Sequence, residues 1–253
     1  MRKGKMDHGT DVFEDLPSFF ASLEEDCAST DSRCGPKFKN ELTFTPETVV
    51  KHVYHLGRQI SKAFEDLGIT YWTSGGTTLG LLRHKGLIPW DDDLDLCIPD
   101  TEVNHLLERA SYLKQGYGLE LRETTTFGYR MFHETKSEEL PNSSLLNYRY
   151  PFCDIFVMTQ QKNKYELRQR IAQVLWPNEW YLIQDVKQAK SGLFGDFHLT
   201  YPDNAKGYLT RTYGPDWELM GETQSYDHIQ RESKISVDFD LNDALYQPAL
   251  PFE

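Results

Sequence analysis

Apolar residues recur at intervals of three and four positions after Thr45 and predict the first helix of the chain. The apolar positions in this stretch are Val49, Val53, Leu56, Ile60, Phe64 and Leu67. Thr45 is a suitable N-cap, Pro46 suits the first helical position, and Gly68 is a suitable C-terminal cap. The pattern therefore predicts a helix over residues 46–67 with one buried face.

Later segments change between short apolar runs and helical spacing. The predicted elements are a strand over 69–73, a turn over 74–76, a helix over 77–84, a strand over 94–98, a helix over 101–114, strands over 118–123 and 127–134, a loop over 135–150, a strand over 152–158 and a helix over 163–175. This mixture predicts an α+β fold, with a mixed β-sheet core and flanking helices.

The two ends of the chain lack such periodicity. Residues 1–42 are charged and mixed in composition, and we expect them to form a flexible or loosely docked arm. Residues 232–253 are expected to form an acidic tail. The folded domain is therefore predicted to span residues 43–231.

The charge of the chain excludes one class of partner. Its 253 residues include 27 Lys and Arg against 39 Asp and Glu, which gives a formal net charge of −12. A protein that grips a nucleic acid polymer needs a basic surface for the phosphates, so no such polymer is expected as a partner. No run of about 18 apolar residues is present, so no transmembrane segment is expected in this chain.

The cysteines offer no metal-binding pair. They lie at Cys27, Cys34, Cys97 and Cys153, and no two of them form a C-x-x-C motif, so a structural zinc site is not expected. Cys97 and Cys153 lie in apolar segments, and we expect them to be buried thiols. Cys27 and Cys34 can pair in an oxidising compartment, but their spacing alone leaves this open.

Carboxylates crowd the segment that leads into the strand over 94–98. They belong to Asp91, Asp92, Asp93 and Asp95. On a strand, Asp93 and Asp95 project from one face, and two such carboxylates repel each other unless a cation lies between them. Asp154 stands alone in the apolar strand over 152–158 and is a candidate third ligand for Mg²⁺ or Mn²⁺. The alternative is a solvated acidic turn.

A glycine pair and a basic triplet precede these aspartates. Gly75 and Gly76 follow a strand and open a helix, where backbone N–H groups can approach phosphate oxygens without a side chain in the way. Arg83, His84 and Lys85 are candidates for neutralising a diphosphate. A tight turn and an exposed basic helix end are the structural alternatives.

Together these residues resemble the motifs of the LicD/fukutin-type phosphotransferase family within the nucleotidyltransferase superfamily. The first motif reads Gly75-Gly76-x-x-Leu79-Gly80-x-x-Arg83-His84-x-Gly86-x-Ile88-Pro89-Trp90-Asp91-x-Asp93-x-Asp95. The segments similar to later motifs are Phe152-x-Asp154-Ile155-Phe156, Tyr208-Leu209 and Tyr213-Gly214-x-Asp216-Trp217. The resemblance implies a nucleotidyltransferase-like catalytic domain over residues 43–231.

The resemblance also implies a reaction. Members move a phosphoalcohol group, such as phosphocholine or ribitol phosphate, from a CDP-linked donor to a hydroxyl of a glycan and release CMP. The catalytic and metal-binding residues implied here are Asp93, Asp95 and Asp154, with Mg²⁺ or Mn²⁺ as the cofactor. Asp154 either completes the metal site or takes the proton of the acceptor hydroxyl.

Other side chains receive supporting roles in this scheme. Asp91 is implied as a further ligand or as a substrate-binding group beside the metal, whereas Asp92 is expected to face away or to solvent. Gly75, Gly76 and a basic residue of Arg83–Lys85 would hold the donor phosphates. Arg130 and His133 are weaker candidates for contact with a phosphate or with the acceptor.

Two other functions use the same residues. A nucleotidyltransferase would keep the nucleotide on its product and release pyrophosphate, and a degenerate relative would bind nucleotide or glycan without chemistry. The intact aspartates argue against the degenerate relative, because neighbouring carboxylates that bind no metal ion repel each other and destabilise the folded protein. Glycoprotein-modifying relatives usually carry a membrane anchor. We therefore expect a cytoplasmic location if the chain is complete, and the Golgi or secretory lumen if it is an excised domain.

Overall fold

The computed structural model describes residues 42–139, 149–229 and 232–252. The predicted arm over 1–42 lies outside the described residues except for its last residue, and Cys27 and Cys34 lie outside them as well. Within the described ranges, none of the helices combines the length and the hydropathy needed to cross a bilayer.

The predicted first helix is present as α1, Glu47–Leu67, and its apolar face packs in the main core. Gly68 ends α1 with a φ of +66°, a left-handed conformation that glycine adopts without strain. Thr45 does not cap the helix. Its hydroxyl donates to the backbone carbonyl of Asp91 at 2.7 Å instead, which ties the start of α1 to the aspartate segment.

After α1 the chain forms short helices and strands around one main sheet. The helices are α2 (Gly75–Leu79), which continues as a π-helix over Gly80–His84, then α3 (Val103–Glu108) after a 3₁₀ turn at Asp100–Glu102, α4 (Ala110–Tyr117), α5 (Arg170–Leu175), α6 (Ile183–Lys187) and α7 (Ala205–Tyr213). The strands of the main sheet are β1 (Trp72–Thr73), β2 (Leu94–Pro99), β3 (Leu119–Glu123), β4 (Gly128–His133), β7 (Cys153–Gln161), β8 (Lys164–Leu167) and β9 (Trp180–Leu182). Smaller two-stranded sheets pair β5 (Glu138–Glu139) with β6 (Arg149–Tyr150), β10 (Lys190–Phe194) with β11 (Phe197–Tyr201), β12 (Met220–Glu222) with β15 (Asp238–Asp240) and β13 (Tyr226–Asp227) with β14 (Glu232–Ser233).

The main sheet is mixed and has the order β1-β2-β7-β4-β3, with β8 paired to the far end of β7 and β9 paired to β8. Its two central strands, β2 and β7, run parallel. The pairs β1–β2, β4–β7 and β3–β4 are antiparallel. This mixed sheet with flanking helices confirms the predicted fold class.

The two faces of the sheet contribute to different cores. Leu94 and Ile155, from β2 and β7, pack with α1 in the larger core. Cys97 and Phe156 belong to a second core on the opposite face. Because side chains alternate along a strand, the residues two positions before Cys97 and Phe156 share this second face, and both are aspartates. Cys97 is a buried free thiol, as predicted, and Cys153 is another.

The predicted helix over 163–175 is wrong in its first half. Lys164–Leu167 forms β8, which folds back on β7 so that Gln161 lies opposite Lys164. The turn between them is made by Lys162, whose φ is +55°. Hydrogen bonding to the long central strand outweighs the local helical spacing, and only Arg170–Leu175 remains helical.

The predicted acidic tail contacts the folded domain over its described residues. Its strand β15 pairs with β12. Further along, the Tyr54 hydroxyl of α1 donates to the carbonyl of Ala249 at 3.0 Å, and Ala249 is buried. The guanidinium of Arg58 donates to the carbonyl of Phe252 at 3.0 Å. These contacts attach the C-terminal residues to the first helix.

Candidate active site

Three neighbouring strands bring charged side chains together on the second face of the sheet. Asp95 on β2 lies opposite Asp154 on β7, and Asp154 lies opposite Arg130 on β4. Residues paired across strands point to the same face, so the register alone places two carboxylates and a guanidinium side by side. Asp154 is buried, and Asp93, just before β2, is buried as well.

Arg130 already engages the carboxylate that was predicted to be the third metal ligand. Its Nε donates to Oδ1 of Asp154 at 2.6 Å and its Nη2 donates to Oδ2 at 2.8 Å. The guanidinium carbon also lies 3.7 Å from the centre of the Phe152 ring. This bidentate pair fixes the orientation of Asp154 and supplies one positive charge to the acidic cluster.

The aspartates before and at the start of β2 are held in an environment that resists their ionisation. Burial raises the pKa of Asp93 and of Asp95 well above the usual range, and repulsion between the neighbouring carboxylates adds to it. Burial and the adjacent Asp92 raise the pKa of Asp91 to about 7. A cation bound between these carboxylates would favour the ionised forms that burial disfavours, which is the condition in which a bound metal ion stabilises a site.

Asp92 was expected to face away or to solvent, but it is buried beside Asp93 and His228. It accepts hydrogen bonds from the Tyr150 hydroxyl at 2.8 Å and from the side-chain amide of Gln224 at 2.9 Å. Its Oδ1 also lies 2.8 Å from Nδ1 of His228. Polar partners from distant parts of the chain make the burial of this carboxylate tolerable.

His228 is a member of the cluster that the sequence did not reveal. Burial by itself would lower the pKa of this imidazole, but Asp93 and Asp92 attract its proton and raise the pKa to about 9. Its Nε2 lies 3.5 Å from Oδ2 of Asp93. Ligand atoms of Asp92, Asp93 and His228 all lie within 4.8 Å of one another, so this group has the spacing to hold a metal ion.

The metal-free protein is expected to lose stability as the pH rises from 7 to 9, and His228→Gln is expected to flatten this dependence. The imidazole stays charged up to about pH 9 when folded but only to about pH 6.5 when unfolded, so its contribution is complete below pH 6.5 and is lost as the pH passes 9. We expect a loss on the order of 2 kcal/mol. Urea denaturation in EDTA at pH 7 and pH 9 measures it.

The matched control for this measurement is His198→Gln. The imidazole of His198 is exposed and has no part in the cluster. The control should keep the pH dependence of the wild-type chain. Equal slopes in His228→Gln and the wild type would show that the imidazolium does not stabilise the aspartates.

The Gly-Gly turn lies directly against two of the carboxylates. A Cβ added at Gly75 would lie 2.4 Å from Oδ2 of Asp95, and one added at Gly76 would lie 2.4 Å from Oδ2 of Asp91. Real Cβ atoms do not approach oxygen so closely. Glycine is therefore needed at both positions to make room for the aspartate side chains. This requirement is separate from the predicted approach of a phosphate to the backbone N–H groups.

A buried hydrogen-bond network holds this turn from behind. The N–H of Gly75 donates to the hydroxyl of Tyr208 at 2.8 Å, and that hydroxyl donates to Oε2 of Glu179 at 2.7 Å. The Ser74 hydroxyl donates to the other oxygen of Glu179 at 2.5 Å. Tyr181 also donates to Glu179, and its ring stacks on that of Tyr208 with 4.9 Å between centroids. The backbone N–H of Gly75 is thus engaged within the protein.

Within the part of the chain that the structure describes, no hydrogen bond or ion pair joins the basic triplet to the aspartates. Nη1 of Arg83 donates to the carbonyls of Trp217 and Met220, both at 2.7 Å. Burial and the neighbouring Arg83 lower the pKa of His84 to about 3, so this imidazole carries no charge at neutral pH. Lys85 donates to the Leu82 carbonyl at 3.0 Å and is exposed. These contacts favour a structural role for the triplet.

The remaining weaker candidate, His133, is also engaged locally. Its Nδ1 accepts from the backbone N–H groups of Thr135 at 3.2 Å and Lys136 at 3.3 Å, and its ring centre lies 5.2 Å from that of His55. Among the described residues, no hydrogen bond or ion pair joins it to the aspartate cluster.

Comparisons with known proteins agree with the motifs. Residues 68–204 match the family model described as LicD/FKTN/FKRP, nucleotidyltransferase domain. The chain is 28% identical over 210 residues to an uncharacterised protein of Rickettsia typhi, covering 79% of this chain and 59% of that protein. The chain therefore spans less than two thirds of the length of that relative.

Two shorter matches are to named transferases. The ribitol 5-phosphate transferase FKRP of Mus musculus is 33% identical over 79 residues, which cover 28% of this chain and 16% of that protein. The lipopolysaccharide cholinephosphotransferase LicD of Haemophilus influenzae is 45% identical over 40 residues, which cover 16% of this chain and 15% of that protein. Because the family model matches more than half of the chain, the chain belongs to the LicD/FKTN/FKRP family of nucleotidyltransferase domains.

Proposed function

We propose that this chain transfers a phosphoalcohol group from a CDP-linked donor to a hydroxyl of a glycan or glycoconjugate and releases CMP. The observation that carries the proposal is the buried group of aspartates on one face of the sheet, within a chain of this family. Two of its relatives are named as transferases of ribitol 5-phosphate and of choline phosphate. The proposal leaves the alcohol open between these and similar groups.

The proposal includes Mg²⁺ or Mn²⁺ as the cofactor. Support comes from the donor set, which is rich in carboxylate oxygens, the ligands that both cations prefer. Asp93 and Asp95 would hold the ion, with Asp154 as the third ligand and with Asp92 and His228 close to Asp93. When bound, such an ion would neutralise charge on the donor diphosphate and polarise the transferring phosphoryl group.

Asp154 and Arg130 are proposed to act as a pair. Their bidentate contact fixes the direction of the carboxylate, which would serve as a ligand or accept the proton of the attacking hydroxyl. The planar guanidinium suits a donor phosphate as well as it suits a carboxylate. Arg130 is therefore the basic residue that we propose for the donor, and the phosphate roles of Gly75 and Gly76 remain predictions.

The test of this function is the identity of the small product. The protein is incubated with Mn²⁺ or Mg²⁺, a panel of sugar acceptors and either CDP-choline, CDP-ribitol or CTP, and the products are resolved by mass spectrometry. We expect CMP and a phosphoalcohol-modified acceptor, and we expect EDTA to abolish both. Asp95→Asn serves as the inactive control. Pyrophosphate from CTP, without CMP from either CDP-alcohol, would overturn the proposal in favour of a nucleotidyltransferase.

A further inference from the structure

The segment after β8 exposes an unusual run of apolar side chains. Helix α5 buries only Ala172, whereas Val174, Leu175 and Trp176 are 62%, 42% and 38% exposed. Pro177, which follows, is exposed as well. A surface helix normally directs its apolar side chains to the core of the protein. Four consecutive exposed apolar residues therefore indicate a surface that a membrane or another molecule covers.

The charge around this run is opposite to that of the chain. Residues 162–176 contain Lys162, Lys164, Arg168 and Arg170 against one acidic residue, Glu166, whereas the whole chain has a net charge of −12. Lys162, Arg168 and Arg170 are exposed. The ion pairs formed within the described part of the chain involve none of these three. Their charges are therefore free to meet an anionic partner.

The basic and apolar side chains lie close together on α5. Arg170 and Val174 are four residues apart in one helix and are therefore neighbours on its surface. Trp176 follows at the helix end, and its ring packs against Phe156, with 5.3 Å between centroids, so that it is anchored while partly exposed. Arginine beside exposed tryptophan and aliphatic side chains is the residue combination of membrane interfaces.

We propose that residues 162–177, which we call the basic-apolar surface, bind an anionic lipid surface. Apolar contact alone would fit a second copy of the chain equally well. The positive charge decides between the two occupants, because another copy is strongly acidic whereas anionic lipid headgroups present a dense negative layer to exposed arginines. The acidic remainder of the protein is repelled by the same layer, so binding is oriented with this surface toward the lipid.

The basic-apolar surface borders the candidate active site, so its position is relevant to the proposed function. The Trp176 ring also packs against Phe127, with 6.0 Å between centroids, and Phe127 lies 6.0 Å from the guanidinium carbon of Arg130. Arg130 in turn contacts Asp154. Resting on the proposed function, this arrangement would present a lipid-linked glycan acceptor to the carboxylates.

The test is cosedimentation of the whole protein with vesicles, without donor, metal or turnover. We expect binding to vesicles of phosphatidylcholine with phosphatidylglycerol, weakening as salt is added, and little binding to phosphatidylcholine alone. Val174→Ser with Leu175→Ser should weaken binding about tenfold or more. Arg168→Gln with Arg170→Gln should weaken it by about fivefold for each arginine.

The matched control is Ile235→Ser, which removes an apolar side chain that is 74% exposed elsewhere on the protein. It should bind as the wild type does, and all variants should keep their melting temperature because the changed side chains are exposed. Absence of wild-type binding to anionic vesicles would overturn the proposal, and so would wild-type binding by both double variants. A dimer in light scattering that the serine variant dissolves would assign the surface to a second copy instead. Neither result bears on CMP release, so the proposed function is tested separately.

Discussion

An Asp93→Asn variant is expected to lose about 10³-fold in metal-dependent CMP release and yet to melt at a higher temperature than the wild-type chain. Asparagine keeps the shape of the side chain but offers no negative charge to a cation. A metal site contributes several kcal/mol of stabilisation to a phosphoryl-transfer transition state, and losing about 4 kcal/mol corresponds to this factor. The activity loss follows from the proposed role of Asp93 as a ligand.

The gain in stability has a separate cause. Burial raises the pKa of Asp93 well above its usual range. In the absence of metal, this carboxyl therefore destabilises the folded state at neutral pH relative to the unfolded chain, in which Asp93 ionises at its ordinary pKa. Removing the charge removes this penalty, and we expect an increase in melting temperature of about 2–4 °C, on the order of 1 kcal/mol. Calorimetry in EDTA measures the melting temperature, and titration with Mn²⁺ measures the metal affinity.

The control for this variant is Asp243→Asn, which neutralises an exposed aspartate in the C-terminal segment. Its activity and melting temperature should match those of the wild type. If Asp93→Asn kept its Mn²⁺ affinity and its turnover, the assignment of the metal site to this aspartate would be wrong. A lower melting temperature in EDTA would show instead that the ionised carboxylate, paired with His228, stabilises the fold.

Gly75→Ala is expected to reduce turnover by about 10²-fold and to destabilise the protein by about 1–3 kcal/mol. The new methyl group would lie 2.4 Å from an oxygen of Asp95, and the φ of +46° at this position strains any residue with a side chain. Either the carboxylate or the turn must move, and a misplacement of about 1 Å at a catalytic group is enough for such a loss. Denaturation and CMP release, measured on the same preparation, test both effects.

The matched control is Gly116→Ala on the exposed side of α4. A Cβ there meets no atom within 4 Å, and the position is helical. This variant should be more stable by about 0.5–1 kcal/mol, because alanine loses less conformational freedom than glycine in a helix. Full activity in Gly75→Ala would show that the aspartates tolerate displacement, which the proposed site does not allow.

The parts of the fold that the sequence predicted well are those whose side-chain periodicity was strong. The apolar spacing after Thr45 predicted α1 almost to the residue, and the strands carrying Asp95 and Asp154 were found from their apolar runs. The pairing of those two strands brings the aspartates opposite each other, as a site that spans both requires. The periodicity of apolar residues predicted a helix in the segment that forms β8, because it does not reveal the pairing with β7 that determines the conformation there.

The parts of the site that the sequence did not predict depend on long-range packing. Asp92 was expected to face away or to solvent, and the sequence could not reveal its partners, because Tyr150 and His228 lie 58 and 136 positions away in the chain. Glu179 and Tyr208, which hold the Gly-Gly turn, lie 29 positions apart. Tyr208 stood in a segment that resembles the family's C-terminal element, but a single sequence carries no signal that these side chains meet at one turn.

The contact between α1 and the C-terminal residues sets a limit on when this fold can be completed. The hydroxyl of Tyr54 reaches its acceptor, the carbonyl of Ala249, across 195 positions of the chain. During synthesis at roughly 5–20 residues per second, the first helix therefore waits on the order of 10 seconds or more for this partner. The same hydroxyl accepts from the N–H of Leu87 at 2.9 Å, so an earlier contact can hold Tyr54 in place until the ribosome has delivered the later one.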